Sequence, residues 1–249
     1  MPFTPSHVVA ILPFVRTPLG PAALAIGAMT PDIPYFLPLD IDRDFTHSLL
    51  GLPTIDLLVG LVTFVAWMAV LRAPVLDYSP RWLRERMAPH ARWRVRGPAV
   101  SWLLVVAALE LGILTHLLLD LFTHKGGALE AVAPWTNDRV GPFAVAHLIH
   151  AAVSIVTAVV VAVWVRRWAL RTPAAVRATR LGAGERLATW IGLAAVMAAV
   201  GLFWWARGIA AGRHPLNPNL LGSSFFIAGA VAAALTLALA LLWRVRKVV

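Results

Sequence analysis

His116, Asp120 and His124 recur at intervals of four in LTHLLLDLFTH, a stretch otherwise made of leucine, phenylalanine and threonine. At about 100° per residue the three fall within about 80° of one helical face. His–x3–Asp therefore directs an imidazole nitrogen and a carboxylate oxygen into one space, the logic by which HExxH sets two histidines on one zinc. Taken alone, a structural hydrogen-bonded pair explains the spacing equally well. Three further segments add to it. DFTHSLLG carries His47, with Asp44 ahead of it; MTPDIPYF carries Asp32 among prolines; SHVVAILP carries His7 just after Pro5 and Ser6. The chain has no cysteine, so a metal must be held by His, Asp or Glu, a ligand set that suits zinc, manganese or iron. With one coordination position open, a bound water becomes a nucleophile near neutral pH, and Asp44 is the spare carboxylate expected to serve as general base.

His150, in HLIH, is a further candidate ligand or substrate contact. Asp56 and Glu110 lie inside apolar segments, where they are expected to orient ligands. Glu110 sits about 120° from His116 around the helix, away from direct ligation. His214, in GRHPLNPN, reads as turn chemistry, and His90 falls in a basic segment.

The elements that must position these residues follow from composition. Of 249 residues, 59% are apolar and 14% charged, and mean hydropathy is +0.76. A soluble core of this length cannot hide that much apolar surface. Five segments, roughly 49–71, 99–123, 144–165, 187–206 and 220–243, are long enough to span a bilayer. Net charge is +10, and its placement argues for topology rather than nucleic acid. Seven arginines fall in 72–98, six in 166–186 and three Lys/Arg in the tail, against two each in 1–48, 125–143 and 207–219. This asymmetry predicts basic loops and a C-terminus on the cytoplasmic side, with attraction to anionic membrane lipids. No basic residue precedes Arg16, so no cleavable signal peptide is expected.

Residues 8–29 are apolar but interrupted by Arg16, Pro18, Gly20 and Pro21. A mid-bilayer arginine is costly, so a re-entrant hairpin of two short helices, broken at RTPLGP, is preferred to a sixth span. The expected fold is all-α: a single integral membrane domain over 1–249, with an N-terminal hairpin and motif region (1–48), a five-span bundle (49–243) and a basic tail (244–249). On this topology His7, Asp32, His47 and the His116 segment all reach the extracytoplasmic side. That shared address, more than any one spacing, favours a metal site; ionisable residues inside a membrane are costly to keep without a use.

MPFTPSH, AIGAMTPDIPYF, FTHSLLG and LTHLLLDLFTHKGG together resemble the bacterial integral membrane proteins of the DUF4184 family and, more distantly, the membrane-bound metal-dependent hydrolases of the YdjM/DUF457 type. The hydrolase resemblance implies a divalent metal on His7, Asp32, His47, His116 and Asp120, with His124 extending the last motif. An analogy to zinc-dependent phospholipase C implies phosphoester chemistry, on lipids among other substrates. DRDFTHS departs from the HRGFTHS of the hydrolases by placing Asp42 where a histidine would lie, so a ligand is lost there or exchanged for Asp42 or Asp44. Ile149 stands where DUF4184 members often have a glutamine before the histidine, which leaves His150 without that neighbour. The alternative function is a non-enzymatic scaffold or transport-associated protein whose His/Asp cluster is structural or relays protons. The absence of a convincing internal repeat weighs against a carrier.

Overall fold

The computed structural model describes residues 4–37, 41–87, 98–123, 128–176 and 179–245. His124, His90 and much of the first basic segment lie outside them. The described chain is helical apart from one two-residue hairpin, in which β1 (Arg139–Val140) pairs antiparallel with β2 (Phe143–Ala144).

Five helices are long and apolar enough to cross a membrane: Leu52–Tyr78, Ala99–Phe122, Val145–Arg171, Ala183–Ala210 and Pro218–Val245. At 24 to 28 residues each, they exceed the ~20 that a hydrocarbon core requires. Their outer surfaces are apolar, with Leu103, Val156, Ile191, Leu202 and Leu242 all exposed. Beside apolar residues such as Leu24, Leu109 and Ile113, the interior holds polar ones: His7, Thr30, Asp32, Thr46, Asp56, His116 and Asp120 are buried. Such an arrangement suits lipid rather than water as the surrounding solvent.

The described residues form two compact units, one within Met1–Phe64 and Val95–Val165, the other within Val65–Arg94 and Arg166–Val249. The first holds the candidate site. It begins with a 3-10 helix, Thr4–Phe14, that contains Pro13. The chain leaves helical geometry at residues 15–20 and re-enters it at Pro21, the first position of α1 (Pro21–Gly27). Proline is tolerated there because that N–H has no helical acceptor in any case. A second 3-10 helix, Thr30–Phe36, carries Pro31 and Pro34 around Asp32, and α2 (Arg43–Thr46) is capped by Asp42, whose Oδ1 accepts the Asp44 N–H at 3.0 Å. No helix of span length forms in residues 4–37.

The following span is continuous but not uniform. A π-helical turn, Leu52–Asp56, opens it; α3 (Leu57–Ala66), a second π turn (Trp67–Leu71) and α4 (Arg72–Tyr78) complete it. α5 (Arg81–Met87) follows, then α6 (Pro98–Thr123). Both N-terminal helices, Thr4–Phe14 and α1, pack on α6. The α1–α6 crossing is close because glycine lies on each side: a Cβ at Gly27 would stand 2.3 Å from the Leu109 carbonyl oxygen, and one at Gly112 would stand 2.4 Å from that of Leu24. Small residues commonly let membrane helices approach this way. Leu24, Leu109 and Ile113 fill the contact with no exposure. After α7 (Ala128–Val132) and the β1–β2 hairpin comes α8 (Val145–Arg171).

The second unit is built on α9 (Ala183–Ala210) packed against α10 (Pro218–Val245). Its polar centre is Asp77, buried at the end of α4. Asp77 Oδ2 accepts the Trp243 Nε1–H at 2.7 Å and the Arg180 backbone N–H at 3.0 Å. The Arg180 guanidinium lies 4.2 Å from the Trp243 ring centroid, a cation–π contact. His214 takes the turn role expected of it, its Nδ1 accepting the Leu216 N–H at 3.1 Å.

Candidate metal centre

Four separate elements deliver five donors to one place in the first unit. The 3-10 helix Thr4–Phe14 brings His7, the proline-bounded turn brings Asp32, the end of α2 brings His47, and α6 brings His116 and Asp120. His7, Asp32 and His116 form one set whose ligand atoms lie within 4.8 Å of one another, and His47, His116 and Asp120 form a second. His7 and His116 are stacked, with ring centroids 3.9 Å apart and planes 16° from parallel, and the His47 ring stands edge-on to His116 at 5.3 Å. The His116–Asp120 spacing does what the helical period predicts: Nε2 and Oδ2 are 3.5 Å apart, one turn along α6.

Tautomers can be assigned from backbone contacts. His116 Nδ1 lies 2.9 Å from the Ala28 carbonyl oxygen, and His47 Nδ1 lies 3.2 Å from that of Arg43 and 2.9 Å from the Thr46 hydroxyl. A carbonyl can only accept, so each Nδ1 carries the hydrogen and each neutral ring presents a lone pair at Nε2. Those two Nε2 atoms have no hydrogen-bond partner among the described residues. They face carboxylates instead: His47 Nε2 is 3.4 Å from Asp120 Oδ2 and 3.5 Å from Asp32 Oδ1, and His7 Nε2 is 3.5 Å from Asp120 Oδ1.

Lone pairs facing carboxylate oxygens repel unless a cation lies between them. A proton would draw N and O to about 2.7–2.9 Å; the observed separations of 3.4–3.5 Å are longer. Donors placed about 2.0–2.2 Å from one ion at the corners of a tetrahedron are about 3.3–3.6 Å from each other. The residues present therefore fit a divalent ion. His116 belongs to both sets and offers each of them the same nitrogen, Nε2.

Outer contacts hold the donors in place. The Thr4 hydroxyl donates to Asp32 Oδ2 at 2.8 Å. Burial opposes ionisation of Asp32, but the His47 ring, its neighbour His116 and the Thr4 hydroxyl prevail and hold its carboxyl below the usual range. Tyr35, with its ring 6.4 Å from that of His47, is pushed up to about 12, chiefly by burial. Arg43 Nη2 stands 3.7 Å from Asp120 Oδ2.

The remaining candidates are placed differently. Asp44 is exposed and belongs to neither set; it sits in the first turn of α2. Asp42 is an N-cap rather than a substitute ligand. His150 is buried on α8 but outside both sets. His124 lies outside the described residues. Asp56 is fully buried, with neither carboxylate oxygen hydrogen-bonded among the described residues, and Glu110 is half-buried; neither joins a set. Thr4, Arg43 and the Ala28 carbonyl were missed by sequence reasoning. Thr4 and Arg43 sit three and four positions before His7 and His47, a signal that short-range spacing could have offered. The carbonyl has no sequence signature at all.

The family model described as a domain of unknown function (DUF4184) matches residues 1–242, and the chain belongs to that family. No curated protein and no solved structure matches it.

Proposed function

We propose that this multi-pass membrane protein is a metal-dependent hydrolase acting on an ester or phosphoester at the extracytoplasmic side of a bacterial inner membrane. The observation that carries the reading is the convergence of three histidines and two aspartates at 3.4–3.5 Å separations, with two of the imidazole lone pairs facing carboxylates. Its ligands are His7, Asp32, His47, His116 and Asp120, and the ion is zinc, with manganese and iron as alternatives. The likeness of the motifs to the YdjM/DUF457 hydrolases supports the same reaction class. The N-terminal helices re-enter the membrane, and the arginine distribution sets the C-terminus in the cytoplasm.

When bound, a divalent ion supplies Lewis acidity and acidifies a coordinated water. The chain's own residues provide the rest. Ala28 and Arg43 carbonyls fix the imidazole tautomers so that Nε2 of His116 and of His47 stays a donor atom. Thr4 holds one Asp32 oxygen and leaves the other beside His47. The burial of His7 and His116 excludes competing water from the donor atoms.

Elemental analysis of purified protein tests the proposal. One zinc per chain is expected, lost in His116→Ala and in Asp120→Asn. Wild-type protein without stoichiometric metal after reconstitution with zinc sinks it. A second reading, a non-enzymatic proton relay, draws on Asp56, a buried carboxyl without a hydrogen-bond partner among the described residues. It predicts chelator-insensitive function and dependence on Asp56.

A further inference from the structure

Among the described residues, Arg43 is the one cation beside the proposed metal ligands whose use the ligand set does not explain. Its side chain is 37% exposed at the edge of the cluster, and Nη2 lies 3.7 Å from Asp120 Oδ2. That is a charge contact, too long for a hydrogen bond. None of its guanidinium N–H groups is hydrogen-bonded to a described residue; among those residues Arg43 is hydrogen-bonded through its backbone carbonyl. A planar fork of donors with spare capacity, next to metal ligands, suits bidentate recognition of an oxyanion.

Charge arithmetic narrows the anion. Asp32 and Asp120 cancel one divalent ion, three neutral imidazoles add nothing, and Arg43 leaves a single positive charge. The guanidinium lies 3.7 Å from a ligand oxygen, so an anion it complements would sit beside the metal ligands, where the reacting group is, and not on a distant part of the substrate. A carboxylic ester or an amide is neutral at the bond to be cleaved. A phosphomonoester brings two negative charges near neutral pH, one more than the site balances. A phosphodiester carries one, on the phosphorus that water attacks.

Resting on the metal-hydrolase reading above, we infer that the substrate is a phosphodiester monoanion whose non-bridging oxygens are held by Arg43 beside the metal ligands. Water adds to phosphorus, the bond to one bridging oxygen breaks, and the leaving alcohol takes a proton, giving a phosphomonoester and an alcohol. Phe45, Leu49 and Leu50, in the residues that follow Arg43, are exposed and give the same segment apolar surface. A glycerophospholipid headgroup and a water-soluble diester share the required chemistry, and the assay separates them.

The full chain in detergent, loaded with zinc, is compared with Arg43→Gln and Arg43→Lys by elemental analysis and by calorimetric titration with dimethyl phosphate. Both variants are expected to keep wild-type zinc. Affinity for dimethyl phosphate falls at least tenfold in Arg43→Gln and less in Arg43→Lys, which keeps the charge without the fork. Wild-type protein without zinc defeats the metal reading. Wild-type protein with zinc but no affinity for dimethyl phosphate, or Arg43→Gln binding it as tightly as wild type, defeats this inference alone. Hydrolysis is then read on phosphatidylglycerol in mixed micelles, on bis(p-nitrophenyl) phosphate and on p-nitrophenyl acetate. Cleavage of the first only identifies a lipid source, and cleavage of the second a soluble one. In either case Arg43→Gln lowers kcat/KM for the diester at least tenfold and for the acetate less than threefold. Equal losses on diester and acetate, or cleavage of neither diester, overturn the assignment.

Discussion

Gly112→Ala tests whether the α1–α6 crossing holds the metal centre, without altering any ligand. The added Cβ would lie 2.4 Å from the Leu24 carbonyl oxygen and 2.7 Å from the Ala28 nitrogen, where real contacts stay above 3.0 Å. Relieving the first clash requires α1 to move off α6 by about 0.6 Å. Ala28 terminates α1 and its carbonyl accepts from His116 Nδ1, one turn beyond Gly112, at 2.9 Å. The same displacement stretches that bond to about 3.5 Å, at the edge of hydrogen bonding. Losing an outer contact to a ligating histidine lowers metal affinity about 10–100-fold. Overpacking itself costs about 1–3 kcal/mol, which leaves a folded protein to measure. Zinc affinity is read by competition with a chromophoric chelator, and folding by far-ultraviolet circular dichroism and size-exclusion elution. Gly192→Ala is the control, since nothing lies within 4 Å of a Cβ there, and it should bind zinc as wild type does. A folded Gly112→Ala protein with zinc affinity within twofold of wild type would refute the reasoning.

Thr4→Val removes the 2.8 Å hydrogen bond to Asp32 Oδ2 and should weaken zinc binding about tenfold; unchanged affinity in the same competition assay would show that Asp32 is oriented by something else. Asp44→Asn should leave zinc stoichiometry and affinity as they are, because its exposed carboxylate is outside both donor sets; loss of metal would return it to the site. Asp77→Ala strands the Trp243 Nε1–H and the Arg180 N–H, each at a cost of about 1–3 kcal/mol. Its thermal midpoint should fall while zinc per chain stays the same, and a parallel loss of zinc would contradict the separation of the two polar centres.

Much of the site was legible before any coordinates. The period of the helix placed His116 and Asp120 on one face, and the two do meet across one turn of α6. Asp32, His47 and His7 were nominated by residue type in segments expected to reach one side of the membrane. Adjacency in the chain did not give which carboxylates and histidines come together. Asp44 lies near His47 in the chain, but α2 turns it outward, and the same turn converts Asp42 into a cap. His150, a histidine at a span mouth, is buried on α8 but belongs to neither donor set.

The sequence by itself determined the solvent and the inventory. Runs of apolar residues longer than a bilayer is thick require helices, because a helix satisfies its own backbone. With no cysteine, only nitrogen and oxygen donors remain. The tertiary structure decided which donors meet and in what state. Gly27 and Gly112 let α1 close onto α6, and that contact puts a carbonyl against His116 Nδ1 and frees its other nitrogen. The fold of α2 likewise sets a guanidinium at the edge of the cluster. Both depend on separations of 2.9 and 3.7 Å between segments about 80 residues apart, and residue types alone carry no such distances.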